Sequence, residues 1–136
     1  MKLFYLLLLS VNFLSASAKK VSAEKILLIR VDEIGVVTVN QDTVAADVLA
    51  IYIQERLFKS FLGTGQMHSR IKLEKTSNSV ADLVTEVIIK EINEAQKRAL
   101  RQVCVEKFSK SFDGLEKRKQ DKLKKQFPVL FQTNYL

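Results

Sequence analysis

The chain has 136 residues, enough for one domain built on one core. Hydrophobic residues make up 47% and charged residues 27%, as in ordinary folded proteins, and with no Trp and one Pro nothing marks a long disordered linker. The net charge of +7 favours anionic neighbours such as a membrane surface, cell-wall polymer or nucleic acid, and the single Cys excludes an internal disulfide.

Lys2 is followed by the apolar run Leu3–Leu14, broken only by Ser10 and Asn12, and then by Ala16-Ser17-Ala18 and Lys19-Lys20. A membrane span needs ~20 apolar residues, and this run is shorter. The pattern predicts an export signal over residues 1–18, cleaved after small residues, with a linker at 19–24. The alternative is an uncleaved short anchor. Either places the rest of the chain outside the cytoplasm, in the periplasm, free or tethered to the inner membrane.

From Lys25 the chain reads as a folded domain. Ile26–Val31 is strand-like, Asp32-Glu33-Ile34-Gly35 is a turn ending in Gly, and Val36–Asn40 is a second β-branched run. So short a connection predicts an antiparallel hairpin, with Arg30, Thr38 and Asn40 on its wetter side. Gln41-Asp42-Thr43 is a polar break, and Asp42 or Thr43 is placed to cap a helix over about Val44–Leu62. Gly63-Thr64-Gly65 ends that helix. Between Ser69 and Glu74, Ile71 and Leu73 alternate with Arg70, Lys72 and Glu74, as in a strand near a sheet edge.

Ser77–Phe108 then carries a long helix. Val80, Leu83, Val84, Val87 and Ile88 fall on one face at ~100° per residue. Leu100, Val103, Cys104 and Phe108 fall on a face turned by roughly half a circle, so two layers or a bend near Ala95 are expected. Ser79 with Asp82 resembles a capping box. Glu91 falls on the first apolar face, where a bare carboxylate is costly. Cys104 reads as a small buried hydrophobe between Leu100 and Phe108, with a reactive thiol or intermolecular bridge as the functional alternative.

After the Asp113-Gly114 turn, Leu115, Leu123 and Phe127 mark a short helix stopped by Pro128. Its solvent side holds Lys117, Arg118, Lys119, Lys122, Lys124 and Lys125 against Glu116 and Asp121, a net +4. Such a face is first of all a solubilising one. Its functional alternative is a patch for an anionic polymer or for phospholipid headgroups. No aromatic residue is interleaved with the lysines, so base stacking lacks support and nucleic acid is set aside. Val129–Leu136 is mostly apolar, suited to docking on the core or to self-association.

These elements predict an α+β fold: a small sheet of about three or four strands with an N-terminal antiparallel hairpin and helices on one face. With one His, one Cys, no phosphate loop and no ligand cluster, the sequence offers little for an enzyme, a cofactor or a metal.

The run ILLIRVDEIGVVTVNQDTV, followed by a helix and then RIKLEKTSNSVADLVTEVIIKEINEAQKRAL, resembles the periplasmic domain of the ExbD/TolR family. Val31–Gly35 and Val37–Asn40 fill the family's turn and following strand, although Ile34 stands where Asp or Asn is preferred. The tail, through Phe108, Lys110, Ser111, Phe112, Leu115, Phe127 and Pro128, resembles the C-terminal extension of ExbD-like proteins from Bacteroidetes-type bacteria, with Ser109 in place of a Gly. The resemblance spans about residues 25–128, dividing the chain into a domain at 25–112 and a basic helical extension at 113–136. It implies a non-enzymatic, dimeric component of an ion-driven TonB/Tol-type transport system, with ExbB/TolQ-like and TonB/TolA-like partners and, for some members, contact with peptidoglycan. The family's membrane helix carries an Asp used in proton conduction, whereas Leu3–Leu14 has no Asp or Glu. No functional residue of that helix carries over. The competing expectation is a stand-alone exported basic protein that binds cell-wall polymer or anionic lipid through Lys117–Lys125.

Overall fold

A computed structural model describes residues 25–136. The expected signal and linker lie outside these described residues. The fold is α+β. Strands β1 (Ile26–Val31), β2 (Val37–Val39), β3 (Asp42–Val44) and β4 (Arg70–Lys75) form one mixed sheet in the order β3-β2-β1-β4. β1 pairs antiparallel with β2 and parallel with β4, and β2 pairs antiparallel with β3. Helices α1 (Leu49–Thr64), α2 (Asp82–Phe108) and α3 (Lys117–Gln126) complete the order, with short 3₁₀ turns at Ala46–Val48, Phe112–Gly114 and Pro128–Phe131.

The strand period explains the layers. Leu27, Ile29 and Val31 of β1, Val37 and Val39 of β2, and Ile71 and Leu73 of β4 are buried and join one hydrophobic core. Their neighbours Ile26, Leu28, Arg30, Thr38, Lys72 and Glu74 are exposed or half-buried, on a face that no helix covers. Arg30 and Lys72 both hold the Glu74 carboxylate there, each at 3.1 Å.

The hairpin turn is built as its residues predict. Asp32 Oδ1 accepts the Ile34 and Val36 amides at 3.1 and 2.8 Å, and Gly35 takes φ +86°, a conformation open to Gly at little cost. The next turn corrects the expected polar break. Residues 42–44 form β3, not a helix cap, because Asn40 and Gln41 take φ +45° and +81° and close a two-residue hairpin with Val39 opposite Asp42. Asn40 also grips β1: its Oδ1 accepts the Leu28 amide at 2.8 Å and its own amide donates to the Leu28 carbonyl at 2.9 Å. Asp42 instead accepts the Tyr52 hydroxyl at 2.7 Å. α1 consequently begins at Leu49, five residues later than expected, without a side-chain cap. It ends at Gly65 (φ +70°) as expected.

α2 is one continuous helix of 27 residues, and its second half also buries or half-buries Leu100, Cys104 and Phe108, the residues expected on a second face. Its buried residues are Thr85, Ile88, Ile92, Ala95, Gln96, Ala99, Val103 and Cys104, which apart from Cys104 form one stripe along the helix. Leu83 and Val87, expected to face the core, are 70% and 48% exposed. Glu91 sits half-buried beside the stripe. Ser79 does not cap the helix: Ala81 holds the N-cap position, while the Ser77 hydroxyl donates to Glu33 Oε1 at 2.6 Å, tying this loop to the hairpin turn.

The C-terminal segment finishes the core. Leu115, Leu123, Phe127, Val129, Leu130 and Tyr135 are buried in the same cluster as the sheet. Residues on both sides of position 112 therefore share one core. The tail also covers the outer edge of β4. Gln132 Oε1 accepts the Ile71 amide at 2.8 Å, Gln132 Nε2 donates to the Ile71 carbonyl at 2.6 Å, and the Leu73 amide donates to the Tyr135 carbonyl at 2.8 Å. An edge strand with free polar groups invites wrong pairing, and here its neighbour is the chain's own end.

Candidate functional site

Two surfaces stand out, at different places on the fold. The first is the basic face of α3. Leu123 is its one buried residue, and Lys117, Arg118, Lys119, Lys122, Lys124 and Lys125 are all exposed. They do not form one cluster. At ~100° per residue, Arg118, Lys122 and Lys125 lie within about 60° of one another, while the other three fan out to either side. Lys119 and Lys124 lie over ring faces, at 5.4 Å from the Phe108 centroid and 6.0 Å from the Phe131 centroid. Lys107, from the end of α2, sits 5.6 Å from the Phe127 ring and donates to Gln126 Oε1 at 3.2 Å. Part of the charge thus helps hold the helix in place through cation–π contact. The remainder faces water.

The second surface is an apolar groove lined by Gly35, Val37, Ala46, Leu83, Val84, Val87 and Ile88. It lies where the hairpin turn, the start of α1 and the first turns of α2 meet. Ile34, 86% exposed, stands beside it on the turn. Exposed apolar side chains gathered in one place mark a contact surface more often than scattered ones do. Helical spacing had assigned Leu83 and Val87 to the interior, so the groove was missed. The signal that separates the faces is the unbroken row from Thr85 to Val103, which leaves Leu83 and Val87 opposite it.

The expected chemistry-bearing residues are elsewhere. Cys104 is fully buried, and burial pushes its thiol pKa up, as for a packing residue and not an activated nucleophile. His68 is buried in the loop after α1. Among the described residues no group of three or more His, Cys, Asp or Glu side chains is arranged to hold a metal ion, and no helix is long and apolar enough to cross a membrane.

A buried polar network anchors the tail. The Tyr135 hydroxyl lies 2.6 Å from both Asn93 Oδ1 and Gln96 Oε1, while Gln96 Nε2 donates to the Val129 and Gln132 carbonyls at 2.8 and 3.0 Å. Burial raises the Tyr135 pKa, with the Gln96 contact acting against it. Gln96 was the missed residue here: a Gln in the middle of an apolar stripe signals a backbone partner inside the core.

No protein-family model, curated protein or solved structure matches the chain.

Proposed function

We propose that this protein is a non-enzymatic accessory component of a TonB/Tol-type energy-transducing transport system, working by protein–protein contact from the periplasm. The reading rests on the ExbD/TolR resemblance. It draws support from the order of elements: Ile26–Val31 and Val37–Val39 pair as adjacent antiparallel strands, a helix follows, and a strand leads into the long α2. The single observation that carries contact as the mode of action is the groove between Gly35, Ala46 and Val87, with Ile34 and Leu83 exposed at its border. Burying such side chains against a partner is favourable at about 25 cal/mol per Å² of apolar surface.

The test is co-purification of the tagged, exported protein with ExbB/TolQ-like and TonB/TolA-like proteins, alongside its oligomeric state by analytical ultracentrifugation. Recovery of those partners, lost in the Leu83→Asp/Val87→Asp variant with an unchanged circular dichroism spectrum, is the expected result. Failure of the unmodified protein to bring down either partner overturns the transport role. Equal recovery by the variant moves the contact away from the groove.

A further inference from the structure

The charge on α3 and the entrance of the chain into the sheet occupy the same end of the molecule. The Ser69 amide and hydroxyl both donate to the Lys25 carbonyl, at 2.7 and 2.6 Å, so the start of β1 is tied to the loop that follows α1. That loop, residues 64–69, forms one wall of a groove whose other wall is Lys125–Pro128, the end of α3. Ile26 lies in register with Arg70, an exposed cation at the start of β4. Lys25, Arg70 and Lys125 therefore stand around one end of the sheet, and the Arg118–Lys122–Lys125 row runs away from it along α3.

We propose that this end is a docking face for anionic phospholipid headgroups, with the Arg118–Lys122–Lys125 row lying against the bilayer surface. Three observations select this partner. The row is exposed and takes part in no ion pair among the described residues, so its charge is available. The rings nearest the basic helix, Phe108, Phe127 and Phe131, are buried or half-buried beneath it, which leaves charge without exposed rings. Charge alone suits headgroup phosphates and not stacked bases. Finally, in the uncleaved-anchor alternative the apolar run Leu3–Leu14 and Lys19-Lys20 precede Lys25 in sequence, and Lys25 is where the chain enters this end of the sheet. One weak apolar anchor and one polybasic patch together hold a protein on a membrane far better than either alone.

Docking in this sense fixes an orientation. β1 runs six residues from Ile26 to Val31, so the Ile34 turn and the apolar groove lie at the other end of the strand, roughly 17 Å along it from Lys25 and Arg70, open to a partner. The lipid face and the groove are separate surfaces. Loss of vesicle binding leaves partner capture untouched, and the reverse also holds.

The full chain is titrated with phosphatidylcholine vesicles prepared with and without phosphatidylglycerol. An apolar leader binds both kinds alike, so the difference between them reads the charged face. Stronger binding to the anionic vesicles is expected, and Lys122→Gln/Lys125→Gln should weaken it by roughly 30-fold. The control Lys90→Gln/Lys97→Gln removes the same charge from α2 and should leave binding within about 3-fold. A Trp at Gln66 should be quenched by brominated phosphatidylglycerol and a Trp at Ile34 should not; the sequence has no other Trp. Equal binding to both vesicle types, equal loss in the two double variants, quenching at position 34 alone, or binding to isolated cell wall without binding to anionic vesicles would each overturn the proposal.

Discussion

The two halves of α2 share one buried stripe but are covered to different widths. In the first half, Leu83 and Val87 point away from the core and are exposed, while Ile88 and Ile92 are buried. In the second half Val105, five full turns from Val87 and on the same side, is likewise 61% exposed, but Leu100, Cys104 and Phe108 on the flank between it and the buried stripe are buried or half-buried. Local sequence separates the halves in part, since exposed Glu86, Lys90 and Asn93 hold in the first half the flank that Leu100, Cys104 and Phe108 hold in the second. The rest of the difference lies downstream, where the turns at Phe112–Gly114 and Pro128–Phe131 pack on α2 and Leu115, Leu123, Phe127 and Leu130 join the same core. A helix of this length meets the sheet and α1 along one stripe, and any wider burial depends on what the chain adds later.

If that cover is integral, removing it should be the most damaging change. Truncation after Phe112 withdraws six core side chains and bares the edge of β4. At about 1.5–3 kcal/mol for each, the loss approaches or exceeds the whole stability of a domain this size. The truncated protein should show no cooperative thermal transition. A sharp transition near that of the full chain would make the extension an appendage. Next in size is Tyr135→Phe, which strips the hydroxyl from Asn93 Oδ1 and Gln96 Oε1 inside the protein. A loss of about 1–3 kcal/mol in urea unfolding is expected.

The uncovered half should respond far less. Leu83→Asp should change stability by no more than about 0.5 kcal/mol, since the side chain is 70% exposed and a carboxylate suits the first turn of a helix. A drop of 2 kcal/mol would mean that the groove is already filled in the isolated protein. The smallest effect concerns Cys104. Burial raises its thiol pKa, so labelling by a thiol reagent should track unfolding and not solvent access. Rapid labelling of the folded protein would show that the packing around Cys104 opens without global unfolding.

Much of the fold was legible from local pattern. The Ile26–Val31 and Val37–Val39 hairpin, the end of α1 at Gly65, the alternation of β4 and the stop at Pro128 each follow from backbone preferences of a few consecutive residues. β3 was not read because Asn40-Gln41 closes its turn with two non-glycine residues at positive φ, a weaker signal than Asn-Gly. The face of α2 was misread because Val80, Leu83, Val84 and Val87 form a plausible stripe when counted alone. Thr85 and Gln96 are buried polar residues that a hydrophobic count passes over. The basic face of α3 was visible from composition, and the apolar groove was not.

The amino-acid sequence by itself determined most element types, the α+β class and the concentration of positive charge on one helix, because period, turn glycines and charge are properties of neighbouring residues. Only the tertiary structure decided which side of α2 is covered, that the tail closes the edge of β4, and that the start of β1 and the end of α3 share one end of the molecule. Those outcomes depend on which distant segments meet, and burial is set by the whole packed arrangement, not by any one helix or strand.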